Sequence, residues 1–223
     1  MSTHTKMETM QMPVRIVKNG KQCYKDSDGI IYDSITTILS KSKDYSTLNK
    51  WKQKVGEPVA EYIMKNAANN GTIFHKLVEQ HLKKETSYEK SLMANAHLQN
   101  IRPLLDKINN VQGLEVALVS KEMKVAGTTD CIASYDGIES IVDFKTSRAA
   151  KKKEWIEDYF LQGTFYAIAY HELTGILISQ IVILISGEDG SLNEYIVSPS
   201  EYITKLETRL RMYEKMQNTS ISA

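Results

Sequence analysis

One turn constrains the fold of this chain more than any other feature, the dipeptide Asp136-Gly137. A two-residue type I′ hairpin turn needs positive φ at both central positions, and Asp-Gly tolerates that conformation. The turn separates two runs with a period of two, residues 124–135 and 138–146. The sequence therefore predicts two antiparallel strands whose pairing is counted outwards from the turn.

The predicted register places Asp130 directly opposite Asp143. Opposed Cβ atoms lie about 5 Å apart, and two charges at that distance repel by about 3 kcal/mol at an effective dielectric of ~20. Strand alternation puts Lys145 on the same face as Asp143. A hard divalent cation would turn this repulsion into binding, since Mg²⁺ prefers carboxylates and phosphate oxygens. If the register slips or the loop is longer, the two acids are unrelated surface groups.

Composition describes an ordinary globular chain around this hairpin. Its 223 residues suit one domain, and 42% hydrophobic with 25% charged residues is typical of such a domain. The longest apolar run, residues 175–185, is about half of a membrane span, so no membrane partner is expected. Residues 1–14 show neither a secretory nor an arginine-rich amphipathic pattern, which predicts a cytoplasmic protein.

Several cofactors are disfavoured by what the sequence lacks. Cys23 and Cys131 are its only cysteines, too few for a four-cysteine zinc site or an iron–sulfur cluster. No Gly-x-x-x-x-Gly-Lys phosphate loop occurs, so no nucleotide cofactor is expected. Zinc hydrolysis is also disfavoured, because the acidic hairpin offers oxygen ligands.

Basic residues cluster near the hairpin although the net charge is only +1. Residues 145–153 carry five basic residues and no acidic one, and residues 41–54 combine lysines with Tyr45 and Trp51. Basic residues beside a metal-competent acid pair suit a nucleic-acid backbone, although such runs are usually solvated loops. The predicted DNA contacts are Trp51, Ser147, Arg148, Lys151, Lys152 and Lys153.

The remaining pattern predicts an α/β sandwich whose sheet is covered on both faces. The predicted elements, in chain order, are a hairpin around Asp28-Gly29, a short helix from Ser34, helices over about 46–109 with breaks at 56–58, 69–71 and 85–87, strands at 114–123, 124–135 and 138–146, a long amphipathic helix over about 153–173, strands at 177–186 and 192–198, and a terminal helix opened by a Ser198/Glu201 capping box.

Two predicted helices carry further polar candidates. His75 and Glu79 share one helical face, and a neutral imidazole is a competent metal ligand; a lone helical histidine is nevertheless more often a core or surface residue. Gln162 is a polar residue among apolar neighbours, which suggests a hydrogen-bonding role near the site. Tyr166, on the same face, has the spacing that is typical of core tyrosines.

Taken in order, these motifs resemble the PD-(D/E)XK nuclease superfamily, in its RecB-type branch, and in particular the mitochondrial genome maintenance exonuclease family with its phage and bacterial relatives. The segments that carry the resemblance are SITTILS (34–40), LNKWKQKVGE (48–57), GTIFHKLVEQHL (71–82), TTDCIA (128–133) and IVDFKTS (141–147). Each motif is weak alone, but their order and spacing are specific. The resemblance covers roughly residues 30–215.

The resemblance implies a restriction-endonuclease-like α/β core, with a mixed sheet and a catalytic antiparallel hairpin flanked by helices, plus an N-terminal helical region. We expect a single nuclease domain over residues 1–223, with a hairpin and helical part at about 30–110 and the catalytic core at about 111–217. The implied activity is that of a DNA exonuclease that uses Mg²⁺ or Mn²⁺ and acts chiefly on single strands with free ends. An endonuclease on the same fold and a catalytically idle nucleic-acid-binding module remain as alternatives.

The resemblance also implies roles for individual residues. His75, Asp130, Asp143 and the backbone carbonyl of Phe144 would hold the metal. Lys145 would orient or help to deprotonate the attacking water and would stabilise charge on the phosphate. The residues that match supporting family positions are Gln162 and Tyr166, which would line the site and position Lys145 and the DNA, together with the acids Glu79 and Glu115, of which Glu115 would support a second metal ion.

The chain departs from mitochondrial members of the family in its first residues, which show no readable targeting segment. This departure favours a bacterial cell or a phage-infected host. No motif indicates the polarity of digestion, the protein partners or the pathway.

Overall fold

The computed structural model describes residues 12–18, 20–86 and 89–221; the prediction about a targeting segment falls mostly on residues 1–11, outside these ranges. The strands of the described part are β1 (Val14–Lys18), β2 (Lys21–Lys25), β3 (Ile31–Ser34), β4 (Ile108–Ser120), β5 (Val125–Tyr135), β6 (Ile138–Ser147), β7 (Gln180–Gly187) and β8 (Leu192–Val197). The α-helices are α1 (Ile35–Lys41), α2 (Ser46–Val55), α3 (Glu57–Leu82), α4 (Leu92–Leu105), α5 (Glu157–Thr174) and α6 (Ile203–Ile221).

The hairpin of β5 and β6 has the predicted turn and register. Both central residues of the turn have positive φ, 48° at Asp136 and 83° at Gly137. From there the two strands pair in the predicted register as far as Cys131. Asp130 and Asp143 are the next residues of that register, at the open end of the ladder.

The sheet forks at the end of this ladder. Along one edge, β5 pairs with β4. On its other edge, β5 pairs in parallel with β3 at residues 125–126 and antiparallel with β6 at residues 131–135. The residues between these two pairings, 127–130, have no partner strand on this edge in the described part of the chain. β6 meanwhile continues alongside β7, so a cleft opens between β3 and β6 with Asp130 at its apex.

Helices cover both faces of the mixed sheet, as predicted. On one face, Phe160 and Phe165 of α5 pack in a core that also includes residues of α1 and α6. On the other face, Phe74 of α3 and Ile101 of α4 pack in a core that includes Phe144 of β6. None of the described helices is long and apolar enough to cross a membrane.

Helix α5 corrects the prediction of an amphipathic helix. It is buried on nearly all sides, because it lies between the sheet and helices α1 and α6. It begins at Glu157, after a single 3₁₀ turn over Lys153–Trp155, which is four residues later than predicted.

Helix α3 corrects a second prediction, because it runs unbroken through residues 69–71. A glycine costs a helix about 1 kcal/mol relative to alanine. Phe74, Leu77 and Val78 in the next turns are fully buried, and each such side chain contributes about 1.5–3 kcal/mol. Of the predicted break at 56–58, only Gly56 lies between helices, because residues 57 and 58 form the first turn of α3. The predicted break at 85–87 falls between α3 and α4, although Ser87 lies outside the described residues.

The boundary between helix α4 and strand β4 also differs from the prediction. Helix α4 ends at Leu105 and β4 begins at Ile108, instead of a helix to 109 and a strand from 114. The pairing with β5 shifts between Asn109 and Gly113, and Asn110 has a φ of 47°. This bulge hides the period of two at the start of the strand.

Strand β1 was not predicted from the sequence. Four of its five residues are exposed, so the strand carries no buried periodic face. The terminal helical segment follows the prediction, since the Ser198 and Glu201 capping box is present in a 3₁₀ turn before α6.

Two mid-helix glycines are expected to respond to alanine in opposite directions. At Gly163 in α5, a Cβ would lie 2.5 Å from Cγ2 of Ile181, and such overpacking costs about 1–3 kcal/mol, which exceeds the helix-propensity gain of about 1 kcal/mol. At Gly71 in α3, the nearest atom, Oγ1 of Thr146, is 3.8 Å away. We therefore expect Gly163→Ala to lower the free energy of unfolding and Gly71→Ala to raise it by about 0.5–1 kcal/mol. Urea denaturation of both variants measures the two signs, and equal effects would contradict the packing argument.

Candidate active site

A cavity of about 560 Å³ lies in the fork of the sheet. Strands β1, β2, β4, β5 and β6 and helices α1, α3 and α5 contribute to its walls. The predicted site residues that line it are His75, Glu79, Glu115, Asp130, Lys145, Gln162 and Tyr166. The fold thus brings together seven of the predicted residues from five elements, two helices and three strands.

Asp130 is held at the apex of the fork by two neighbours. Its Oδ2 accepts a hydrogen bond from the backbone N–H of Phe144 at 2.9 Å, the first residue of β6 beyond Asp143. The same oxygen lies 3.3 Å from Nδ1 of His75 on α3. Burial alone would raise the pKa of Asp130, but His75, Lys145 and the Phe144 N–H together lower it. The carboxylate therefore remains ionised. It accepts the Phe144 N–H at the point where β6 separates from β5 and the backbone pairing of the two strands ends.

The same contact acts on the imidazole of His75. Burial alone would lower the pKa of His75, but the adjacent carboxylate of Asp130 outweighs it and the pKa is raised. The ring also packs edge-on against Phe74, with 5.9 Å between the ring centroids. The histidine is therefore oriented by a packed helix on one side and by a carboxylate on the other.

Asp143 forms a buried ion pair with Lys145. The Lys145 Nζ donates a hydrogen bond to Oδ1 at 2.6 Å and lies 2.5 Å from Oδ2, which accepts no hydrogen bond of good geometry. The side chains are 3% and 18% exposed. Burial raises the pKa of Asp143 to about 6 against the influence of Lys145. Burial alone would lower the pKa of Lys145, but Asp143 and Asp130 raise it, so the amine is held as an ammonium.

Glu115 on β4 has a strained backbone beside Asp130. Its neighbours pair with β5 as Leu114 with Cys131 and Val116 with Thr129, so Glu115 faces Asp130. Its φ is 51°, a left-handed conformation that glycine favours and glutamate rarely adopts. Burial and the charge of Asp130 raise its pKa. Strain of this kind is concentrated at functional sites.

One group of side chains in the cavity could hold a metal ion, and its donor atoms fit the implied cofactor. Ligand atoms of His75, Glu115 and Asp130 all lie within 4.8 Å of one another. Two carboxylates and one imidazole form an oxygen-rich donor set, which suits Mg²⁺ or Mn²⁺. Glu115 thus stands with the predicted ligands His75 and Asp130, whereas both oxygens of Asp143 lie against Lys145. Sequence reasoning gave Glu115 only a supporting role, because its left-handed conformation leaves no local signature.

Tyr166 and Gln162 form the wall contributed by α5. The Gln162 Nε2 donates a hydrogen bond to the Tyr166 hydroxyl at 2.9 Å. A Cβ at position 127 would lie 2.8 Å from Cε1 of Tyr166 and 2.9 Å from Cγ2 of Ile35. Gly127 therefore lets this tyrosine approach the backbone of β5 in the fork.

The predicted DNA contacts outside the fork do not line this cavity. Trp51 lines a neighbouring cavity of about 710 Å³, and Arg148 lines another of about 270 Å³. Ser147 ends β6, and residues 151–153 follow in the connection to α5. Because β6 also carries Lys145, the chain leads from the site directly into this basic segment.

Glu115→Asn is expected to stabilise the fold while impairing the site. Asparagine tolerates the left-handed conformation better than glutamate, which relieves a backbone cost of about 1 kcal/mol, and it removes a charge facing Asp130. We expect a higher denaturation midpoint together with weaker Mn²⁺ binding, measured by urea titration and calorimetry. Glu79→Asn is the control, because Glu79 lines the same cavity but lies in the regular helix α3, where no backbone strain can be relieved. An unstable Glu115→Asn variant would refute the strain argument.

The fold and the fork combine a mixed sheet, an antiparallel hairpin with an Asp-Asp-Lys set, and a helical histidine, the features on which the resemblance to the PD-(D/E)XK superfamily rests. No protein-family model matches the sequence. The chain is similar to proteins named mitochondrial genome maintenance exonuclease 1. The human protein is 28% identical over 211 residues, covering 86% of this chain and 61% of that protein, and the mouse protein is 30% identical over 210 residues, covering 84% and 60%. The chain is a homologue of these exonucleases, as its motifs predicted.

The chain spans about three fifths of the length of the two mammalian relatives. Among solved structures, one from Eubacterium rectale, described as a candidate exonuclease, aligns with a TM-score of 0.45 and 14% identity, covering 67% of this chain and 65% of that chain.

Proposed function

We propose that this chain is a metal-dependent deoxyribonuclease, specifically an exonuclease that hydrolyses phosphodiester bonds in single-stranded DNA with free ends. The observation that carries the proposal is the convergence of His75, Glu115 and Asp130 within 4.8 Å in a cavity that also contains the ammonium of Lys145. Homology to proteins named exonucleases supports the same reaction class.

The residues that would hold Mg²⁺ or Mn²⁺ are His75, Glu115 and Asp130. Asp143 and the Phe144 carbonyl, which the family resemblance adds to the set, lie on the diverging part of β6. The ion, when bound, would supply a Lewis acid for a phosphate oxygen and a water of lowered pKa. Asp130 would both contact the ion and, through the Phe144 N–H, fix the position of β6.

Lys145 supplies the positive charge for the phosphate in this proposal. Its ammonium is fixed by both oxygens of Asp143 and lies 5.1 Å from the ring centroid of Tyr159. A preorganised cation of this kind stabilises the negative charge that develops on the phosphoryl group. Gln162 and Tyr166 shape the wall across which the strand would lie.

The proposal is tested with linear single-stranded DNA labelled at one end, compared with the closed-circular form of the same sequence. Each substrate is incubated with Mg²⁺, with Mn²⁺ and with EDTA. We expect metal-dependent loss of the linear strand alone, because an exonuclease needs a free end. Linear duplex DNA with blunt ends tests the single-strand preference.

Three results would overturn parts of the proposal. Cutting of the circle would indicate an endonuclease on the same fold. Binding of linear DNA without cutting in either metal would indicate an idle binding module. Equal degradation of duplex and single strands would remove the strand preference while leaving the exonuclease activity.

A further inference from the structure

A second cavity, of about 710 Å³, adjoins the active-site cavity. We call it the side cavity, and its apolar walls are formed by Leu39, Tyr45, Leu48, Trp51 and Tyr159. Thr36 and Gln162 line both cavities, so the two spaces share a border of two side chains. A ligand held in the active site can therefore extend into the side cavity.

Apart from Leu39, which is buried in the core, the walls of the side cavity are apolar surfaces left open to solvent. Tyr45 is 38% exposed, and Leu48, Trp51 and Tyr159 are only half-buried. Helix α2, which carries Leu48 and Trp51, has no fully buried residue. A flat apolar group entering the cavity would bury these surfaces without displacing any part of the core.

The charged side chains beside these walls, two basic and two acidic, sum to no net charge. Lys43 lies 2.8 Å from a carboxylate oxygen of Asp158, and the same carboxylate accepts a hydrogen bond from Arg209 at 3.0 Å. Asp44 accepts hydrogen bonds from the N–H and hydroxyl of Ser46 at the start of α2. The cavity thus suits an uncharged ring better than a phosphate.

Tyr159 connects the side cavity to the reactive centre. The Nζ of Lys145 lies 5.1 Å from the centroid of its ring, and the ring also lines the side cavity. A ligand that places a phosphate near Lys145 and an aromatic ring beside Tyr159 and Trp51 has the covalent layout of a nucleotide.

We propose that the side cavity binds one unpaired nucleobase of the substrate strand, from a nucleotide next to the phosphate at the metal site. The proposal rests on the proposed nuclease function and identifies how the site selects its substrate. Stacking on aromatic side chains tolerates any base, so the pocket is expected to be insensitive to sequence. A base within a duplex is stacked on both sides and paired, so it is excluded.

Trp51 can report occupancy of the pocket directly. The chain has two tryptophans, and Trp155 is 62% exposed and lines neither cavity. In a Trp155→Phe variant, excited at a wavelength that tyrosine does not absorb, the emission therefore comes from Trp51 alone. Titration with linear oligothymidylate in EDTA, which prevents metal-dependent cleavage, should change this emission saturably. Blunt duplex DNA of equal length should leave it unchanged.

Affinity measurements identify which nucleotide of the strand places its base in the side cavity. In a series of oligonucleotides with a single abasic site at successive positions from one end, one position should weaken binding to the wild-type protein by about tenfold. The Trp51→Ala variant should bind all members of the series equally well. Trp155→Ala is the matched control, and it should retain the positional dependence.

Each result supports or overturns the pocket separately from the nuclease function. Unchanged Trp51 emission at every DNA concentration, or an abasic effect that persists in Trp51→Ala, would overturn the pocket even if the protein degrades linear DNA. Quenching together with a positional effect lost in Trp51→Ala would support the pocket even if no cleavage occurs in any metal. In that last case the proposed nuclease function alone would fail.

Discussion

Replacing Lys145 by methionine is expected to lower the rate of DNA cleavage at saturating substrate by about 10²–10³-fold. The ammonium of Lys145 lines the cavity together with the proposed metal ligands and is fixed on Asp143. Methionine keeps the unbranched apolar stem and removes only the charge that would stabilise the phosphoryl group. Single-turnover cleavage of end-labelled linear DNA measures the effect, and filter binding tests whether the affinity for DNA is retained.

The same substitution should destabilise the protein. Asp143 is 2% exposed, and loss of the partner of a buried ion pair costs about 3–5 kcal/mol, because the remaining charge is left without compensation. The double variant Asp143→Asn/Lys145→Met carries no such charge and is expected to recover most of the free energy of unfolding without recovering cleavage. A Lys145→Met variant as active as the wild type would show that the ammonium has no role in the reaction.

The hairpin of β5 and β6 could be predicted because its geometry is set locally. The turn at Asp136-Gly137 fixes the register, and alternation along β6 then decides that Asp143 and Lys145 share one face. The structure shows this register and a direct contact between the Asp143 carboxylate and the Lys145 ammonium. The terminal capping box was also predictable, since both of its hydrogen bonds join residues three or fewer positions apart.

The shape of the site around the hairpin could not be predicted from local pattern. The fork exists because β3 pairs in parallel with the start of β5, and a pairing between strands so distant in sequence leaves no periodic signal. The left-handed backbone of Glu115 leaves no signature in the sequence. The unbroken course of α3 past Gly71 depends on the burial of side chains in its next turns, which local pattern does not decide. Trp51 was predicted as a DNA contact, but its place in a separate cavity follows only from how α2 packs.

Asp130 has two roles that two substitutions are expected to separate. As a proposed metal ligand, Asp130 would be needed for cleavage, so both Asp130→Asn and Asp130→Ala should lower the cleavage rate by about 10³-fold. A loss of that size corresponds to the several kcal/mol by which a bound metal ion stabilises the transition state. As the acceptor for the Phe144 N–H at 2.9 Å, it also holds β6 at the fork. Asparagine keeps an acceptor oxygen, whereas alanine leaves a buried N–H unpaired at a cost of about 1–3 kcal/mol.

The two variants should therefore be equally inactive and unequally stable. Calorimetric titration with Mn²⁺ is expected to show weakened binding in both, and urea denaturation should show a lower free energy of unfolding for Asp130→Ala than for Asp130→Asn. Phe144 is 2% exposed, and the Asp130 carboxylate is the acceptor of its N–H in the folded chain. Equal stability of the two variants would mean that the Asp130 carboxylate does not hold the fork, and normal Mn²⁺ binding in either would remove Asp130 from the metal site.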